Sequence, residues 1–420
     1  MQSRRSFLKY GALISGLAAG LDALGQPAQR SILLRSSWQV ENIGDIGHTP
    51  GVITLLEQYY PDVEVRLWPV DIGKGVDRML ACRFPKLKII TSETDVQKAF
   101  AECALMLHGS GPSLVRGKDL ALWKQQTGKP YGIYGITFPG VYGLPADRWK
   151  FRPEDITIMT EAQFALFRDS ASLDFARDKG VKSPIMEFCP DGAFAVDLKD
   201  DAKADAFLKK HNLQHGQFVC VIPQLRFTPW WELPRKNQQP NAGKHARNEE
   251  MKEHDNAPIR AAITAVARQT PYKILIVPEN ETQMRIGKEM LFDPLPEDVK
   301  QKTVLRTEYW LTDEAISTYL RSAGLFGIEM HSPIMCIGNR IPAIVCRFEE
   351  QTSKGIMWKD IGLGEWLFDL DHPEDIDRLV PTVLDMLNNK KATAQKVDKA
   401  LAFVHKRQQE TMALMRRYVS

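Results

Sequence analysis

The sequence has no long apolar run past its start, no marked charge imbalance and none of the common one-line catalytic signatures. Each absence removes a class of protein. Beyond residue 21 no stretch approaches the ~18 uninterrupted apolar residues that a membrane-spanning helix needs, so the body of the chain reads as soluble. Lys and Arg number 55 against 52 Asp and Glu, a net charge of +3. A balance so close to neutral gives no broad field for nucleic acid or acidic membranes, and no nucleic-acid partner is expected. There is no Gly-x-x-x-x-Gly-Lys-Ser/Thr loop, no Gly-x-Gly-x-x-Gly, no His-Glu-x-x-His and no Gly-x-Ser-x-Gly. The six cysteines form no Cys-x-x-Cys, and Cys103, Cys220, Cys336 and Cys346 lie in apolar runs. They read as buried free thiols, not disulfides or metal ligands. His211 and His215 have ligand spacing but sit among Asn, Gln and Gly, as a solvated turn does. No metal and no cofactor are expected.

What is present begins with a targeting segment, residues 1–28. Ser3-Arg4-Arg5-Ser6-Phe7-Leu8-Lys9 matches the twin-arginine export pattern. The apolar Tyr10–Leu21 run that follows is short and rich in Gly and Ala, and Ala23-Leu24-Gly25 offers a small-x-small exit. The twin-arginine translocase is therefore an expected partner. The destination is periplasmic or extracellular, with the signal either cut or kept as an anchor.

The rest alternates short β-branched runs with amphipathic stretches, the pattern of α/β layers built on parallel strands. Strands are predicted at Ser31–Arg35, Val63–Trp68, Leu87–Thr91, Ala104–His108, Tyr131–Gly135, Ala165–Arg168 and Ile185–Phe188. After a turn and a charged loop around 190–201 a second series follows, at Phe218–Ile222, Lys273–Val277, Leu325–Ile328 and Pro342–Val345. Helices are predicted at Pro50–Tyr60, Lys118–Thr127, Pro258–Gln269, Thr312–Ser322 and Pro333–Gly338, with one long charged helix at Ala392–Tyr418. Residues 226–256 are polar and lack periodicity, as a lid or an insertion does. This gives two Rossmann-like domains, 29–197 and 198–390, in a glycosyltransferase-B-like arrangement, with a C-terminal helix at 391–420. In such folds ligands bind beyond the carboxyl ends of the strands.

The polar motifs fall at those strand ends. Asn42-Ile43-Gly44-Asp45-Ile46-Gly47-His48 follows the first strand, and Thr49-Pro50 suits a helix start. His108-Gly109-Ser110-Gly111 follows the fourth, where glycines permit close backbone approach. Glu329-Met330-His331-Ser332 follows Leu325–Ile328, with Ser332 placed to cap a helix from Pro333. A histidine there suits general acid or base work. Arg226 offers an anion clamp and Trp230 a stacking face for a sugar. Glu279 and Glu281 read as helix N-terminal charge.

In this order, Asn42-x-Gly44-Asp45, His108-Gly109-Ser110-Gly111, Pro190-Asp191-Gly192-Ala193-Phe194 and His331-Ser332 resemble the polysaccharide pyruvyl transferase family, over roughly Ile32 to Asp371. The resemblance implies transfer of a pyruvyl group, as a ketal, from phosphoenolpyruvate to sugar hydroxyls of an envelope glycan. It makes His331 the acid/base, with Asp45 next. Asn42, Gly44, His48, His108, Gly109, Ser110, Gly111, Asp191 and Ser332 would bind sugar or donor. The family commonly shows Arg-x-His where this chain has Glu329-Met330-His331. That substitution opens an alternative: an exported protein that binds glycan, or processes it with Glu329 in an acid–base pair with His331 or Asp45.

Overall fold

A computed structural model describes residues 30–138 and 151–419. The expected export segment lies outside these residues. Thirteen strands form two sheets. The first contains β1 (Ser31–Ser36), β2 (Glu64–Pro69), β3 (Lys88–Ile89), β4 (Leu105–His108), β5 (Tyr131–Ile136), β6 (Ala165–Phe167) and β7 (Met186–Phe188), in the order β3-β2-β1-β4-β5-β6-β7. The second contains β8 (Phe218–Ile222), β9 (Lys273–Ile276), β10 (Thr303–Leu305), β11 (Leu325–Gly327), β12 (Ala343–Arg347) and β13 (Leu367–Asp369), in the order β10-β9-β8-β11-β12-β13. Every strand pairing between them is parallel. Helices cover both faces, so the central strands are buried throughout and read as apolar runs without alternation. The predicted strands are all present. The edge strands β10 and β13, three residues each, are not among those predicted.

Each sheet reverses its winding once, between β1 and β4 and between β8 and β11. Crevices open at such switch points. Four helices matter for the site or the join between sheets: α1 (Ile43–Tyr59), α2 (Ala242–Gln269), α3 (His331–Gly338) and α4 (Lys390–Ala413). One apolar core runs from Ile32 and Leu34 of the first sheet to Val219 and Ile274 of the second, while the outer face of the first sheet has its own core around Trp123 and Phe167. The C-terminal helix α4 returns to the first unit, where Arg407 donates to the Phe188 carbonyl (2.7 Å) and the Glu187 carboxylate (2.8 Å). Among the described residues no helix is long and apolar enough to cross a membrane.

Two expectations need correction. The Asn42–His48 segment is not a loop before a helix at Pro50; it forms the first two turns of α1. The Asn42 side chain accepts from the Gly44 and Asp45 amides (2.7 and 3.1 Å), which caps the helix seven residues earlier than Pro50 suggests. Pro50 then sits inside the helix, where tertiary packing overrides its low propensity. The 226–256 segment is not a structureless lid. Two short 3₁₀ turns lead into α2, whose N-terminus Asn241 caps through the Lys244 amide (3.0 Å). The first half of α2 is polar on all sides, so no apolar period announces it.

Candidate active site

Helix α1 is the piece that joins the two switch points. Its first amide, Ile43 N–H, donates to the Glu279 carbonyl just after β9 (2.9 Å), and Asn42 bridges to Asn280. Glycines let it come this close. A Cβ on Gly51 would lie 2.0 Å from the Gly192 carbonyl oxygen, and one on Gly44 would lie 2.1 Å from His331 Cβ. The ends of β1, β4, β8 and β11 therefore meet around a cleft of about 230 Å³.

Asn42, Asp45, Arg226, Trp230, Glu329 and His331 line that cleft. Residues nearly three hundred positions apart are brought into contact, with the His48 and His331 rings edge to face at 4.8 Å between centroids. His331 opens α3. Its Nδ1 donates to Glu279 Oε1 (3.1 Å), and Glu279 Oε2 accepts the Ser332 amide (2.6 Å). Glu279 is thus the external cap of α3, a role the sequence assigns to Ser332. The Ser332 hydroxyl turns inward to Tyr319 (3.1 Å). Burial first, then the neighbouring His48 ring and Lys354, push the His331 imidazole down to about 3, so it is neutral at pH 7 and Nε2 is its acceptor nitrogen. Arg168 Nη1 lies 3.5 Å from that nitrogen.

Behind His331 stands a second carboxylate–imidazole pair. His48 Nδ1 donates to Asp191 Oδ1 (2.9 Å), and Asp191 Oδ2 accepts from Arg168 Nη1 (2.7 Å). Burial alone would raise the Asp191 carboxyl; the adjoining His48 and Arg168 more than offset it and hold it well below the usual carboxylate range. Ser110 Oγ accepts the Gly192 amide (3.2 Å) and lies 3.4 Å from His48 Nδ1, so it organises this pair from behind the cleft. Donor atoms of Asp45, His48 and His331 all lie within 4.8 Å of one another, close enough to share a metal ion.

Other expected residues take different places. His108 is fully buried and stacks on Trp38, with its ring nitrogens 2.8 Å from the Gly109 and Val115 carbonyls. Burial pushes it down to about 4, so one of those contacts is a hydrogen bond of the neutral ring, and no nitrogen is left for a ligand. Gly109 and Gly111 make room for Ser36 and Trp38, not for a ligand. Arg226 is no free anion clamp. Its guanidinium is held by Asp255 (2.9 Å), Glu350 (2.7 Å) and Asp371. No hydrogen bond joins Glu329 to His331; Gln224, Gln283 (2.9 Å) and Lys354 (2.6 Å) donate to its carboxylate instead. Burial, then the nearby Glu279 charge, raises its carboxyl.

Four contributors were not anticipated: Glu279 in this role, Arg168, Gln283 and Lys354. Glu279 and Arg168 each fall one to three residues past a strand, which is the signal that would have found them. Lys354 places one positive charge beside Glu329.

Comparison with known proteins agrees with this architecture. The solved structure of Anabaena Alr3699/HepE in complex with UDP and glucose superposes with a TM-score of 0.53 at 11% identity, covering 91% of this chain and 98% of that one. Phytolacca americana UGT2 complexed with UDP-2fluoro-glucose and pterostilbene gives 0.55 at 12%, covering 93% and 100%. The UDP-GlcNAc 2-epimerase from Neisseria meningitidis bound to UDP-GlcNAc gives 0.52 at 9%, covering 92% and 99%. At such identities the likeness is one of fold: two Rossmann-like units in the glycosyltransferase-B manner. No curated protein sequence matches the chain. The family pattern of polysaccharide pyruvyl transferases, however, matches residues 42–348, from the cap of α1 to the end of β12 and across every residue of the cleft floor, and the chain belongs to that family.

Proposed function

We propose that the protein transfers a pyruvyl group from a phosphoenolpyruvate-like donor to two hydroxyls of a sugar in an envelope glycan. The observation that carries this reading is the placement of His331 at the cleft floor, its Nδ1 held by Glu279 and its ring clustered with Asp45 and His48. The reaction must add one proton to the methylene carbon of the enol, which becomes the methyl group, remove one from each hydroxyl and release phosphate, which carries the remaining proton away. At the neighbouring carbon, which bears the phosphate, two C–O bonds form and the bond to the phosphate oxygen breaks. In this reading His331 takes the proton of an attacking hydroxyl. The imidazolium so formed is stabilised by Glu279, and Asp45 orients the hydroxyl. Lys354, which also holds Glu329, supplies positive charge toward the anionic donor.

Incubation with phosphoenolpyruvate and simple glycosides, read by phosphate release and by the mass of a ketal product, tests this. Saturable binding of glycan without either product would favour the binding-only alternative. Export is part of the same proposal. Replacing Arg4 and Arg5 by Lys should retain the protein in the cytoplasm, and unchanged fractionation would count against a twin-arginine route.

A further inference from the structure

Behind His331 lies a buried polar atom that proton transfer does not use. His48 is wholly buried, and with Nδ1 donating to Asp191 its Nε2 has no hydrogen-bond partner among the described residues. Leaving such an atom dry and unpaired is unfavourable, so a buried orphan needs a reason. Its neighbour His331 likewise has Nδ1 on a carboxylate, that of Glu279, while Arg168 Nη1 approaches its Nε2 at 3.5 Å. A carboxylate that holds one imidazole nitrogen fixes the tautomer, aims the other nitrogen and makes it a better electron-pair donor. Two such pairs converge here with the carboxylate of Asp45.

Charge points the same way. Asp45, Asp191, Glu279 and Glu329 bring four carboxyl groups to the floor and its edge, against two cations, Arg168 on Asp191 and His331 and Lys354 on Glu329. A dication balances that set better than a second arginine or a proton. Two imidazoles with one carboxylate suit a borderline ion such as zinc or cobalt and not magnesium or calcium, which prefer oxygen. Bonds of about 2.1 Å place two ligand atoms at most about 4.2 Å apart, so the trio, now within 4.8 Å, has only a little to close.

We propose that Asp45, His48 Nε2 and His331 Nε2 form a binding site for a divalent transition-metal ion, with its remaining position open to the cleft between Asp45 and His331. This goes beyond the transferase reading and does not depend on it. An ion there uses the lone pair that His331 needs for proton transfer, so it competes with that step.

The test uses untagged full-length protein, stripped with a chelator and titrated with Co²⁺, whose visible absorption reports nitrogen and oxygen ligation. One equivalent is expected to give a saturable band that Zn²⁺ abolishes. Asp45→Asn and His48→Gln should each weaken binding by at least about tenfold. Absence of a stoichiometric band in the wild type overturns the proposal. So does a band unchanged in Asp45→Asn, which decides the matter if the buried His48→Gln variant does not fold. The readout needs no turnover. A protein that binds cobalt but releases no phosphate loses only the transferase reading, and one with the opposite behaviour loses only the metal site.

Discussion

Gly44 and His331 are in direct contact: a Cβ at position 44 would lie 2.1 Å from the His331 Cβ. The first helix of the first unit and the helix that carries His331 in the second are therefore spaced by a missing methyl group. Gly44→Ala should gain up to about 1 kcal/mol of helix propensity and lose more by overpacking, about 1–3 kcal/mol. The clash is with the root of a side chain, which cannot swing away. Thermal unfolding should show a net fall in Tm with loss of turnover; an unchanged Tm with full activity would mean that the contact is looser than described.

Glu279 fixes the tautomer of His331 and caps its helix at once. Glu279→Gln offers one oxygen where two are used, so either the cap or the Nδ1–H is lost. Activity should fall by at least about tenfold, and the ¹⁵N shifts of His331 should report a changed tautomer. A folded variant with the wild-type tautomer and rate would remove Glu279 from the machinery.

The pH dependence follows from burial. His331 is pushed down to about 3, and a base works in its neutral form. As pH falls from 7, an ordinary histidine base would be half lost near about 6.5, whereas His331 stays neutral and active until far lower. The rate limb near 6.5 should be missing as long as the fold survives, and NMR titration should show His331 neutral at pH 5. A limb near 6.5 assigned to His331 by its loss in a variant would refute the direction of the shift.

Arg226 holds Asp255, Glu350 and Asp371 together beneath the cleft rim. Arg226→Ala leaves a fully buried Asp255 without its cation, which should cost about 3–5 kcal/mol. Denaturant unfolding would show it. A stable variant with only a raised KM for an anionic donor would restore the clamp role.

Only Cys82 of the six cysteines is exposed, and none is bridged. A thiol reagent should therefore titrate one group in the native protein and six after denaturation, without reductant. Fewer than six on unfolding would reveal a disulfide.

The sequence displays the strands well because buried parallel strands are apolar over their whole length, as Phe218–Ile222 is. It displays the start of α1 poorly. Gly44, Gly47 and Pro50 argue against helix locally, and only the Asn42 cap and contacts with residues 192 and 331 settle it. His331 is legible because it follows a strand end. The partner of His331 is not, since Glu279 lies 52 positions away and looks like an ordinary helix-start charge. Arg226 and Glu329 look available in sequence because their neutralising partners, Asp255 and Lys354, come from elsewhere in the chain.

Single-turnover phosphate release from phosphoenolpyruvate in the presence of a sugar acceptor, wild type against His331→Ala, addresses the role of His331 most directly. General base catalysis of this kind contributes about 10²–10⁴-fold, so the variant, folded by circular dichroism, should release phosphate at least about a hundred times more slowly. Equal rates in the two proteins would show that the lone pair at the cleft floor is not what accepts the proton.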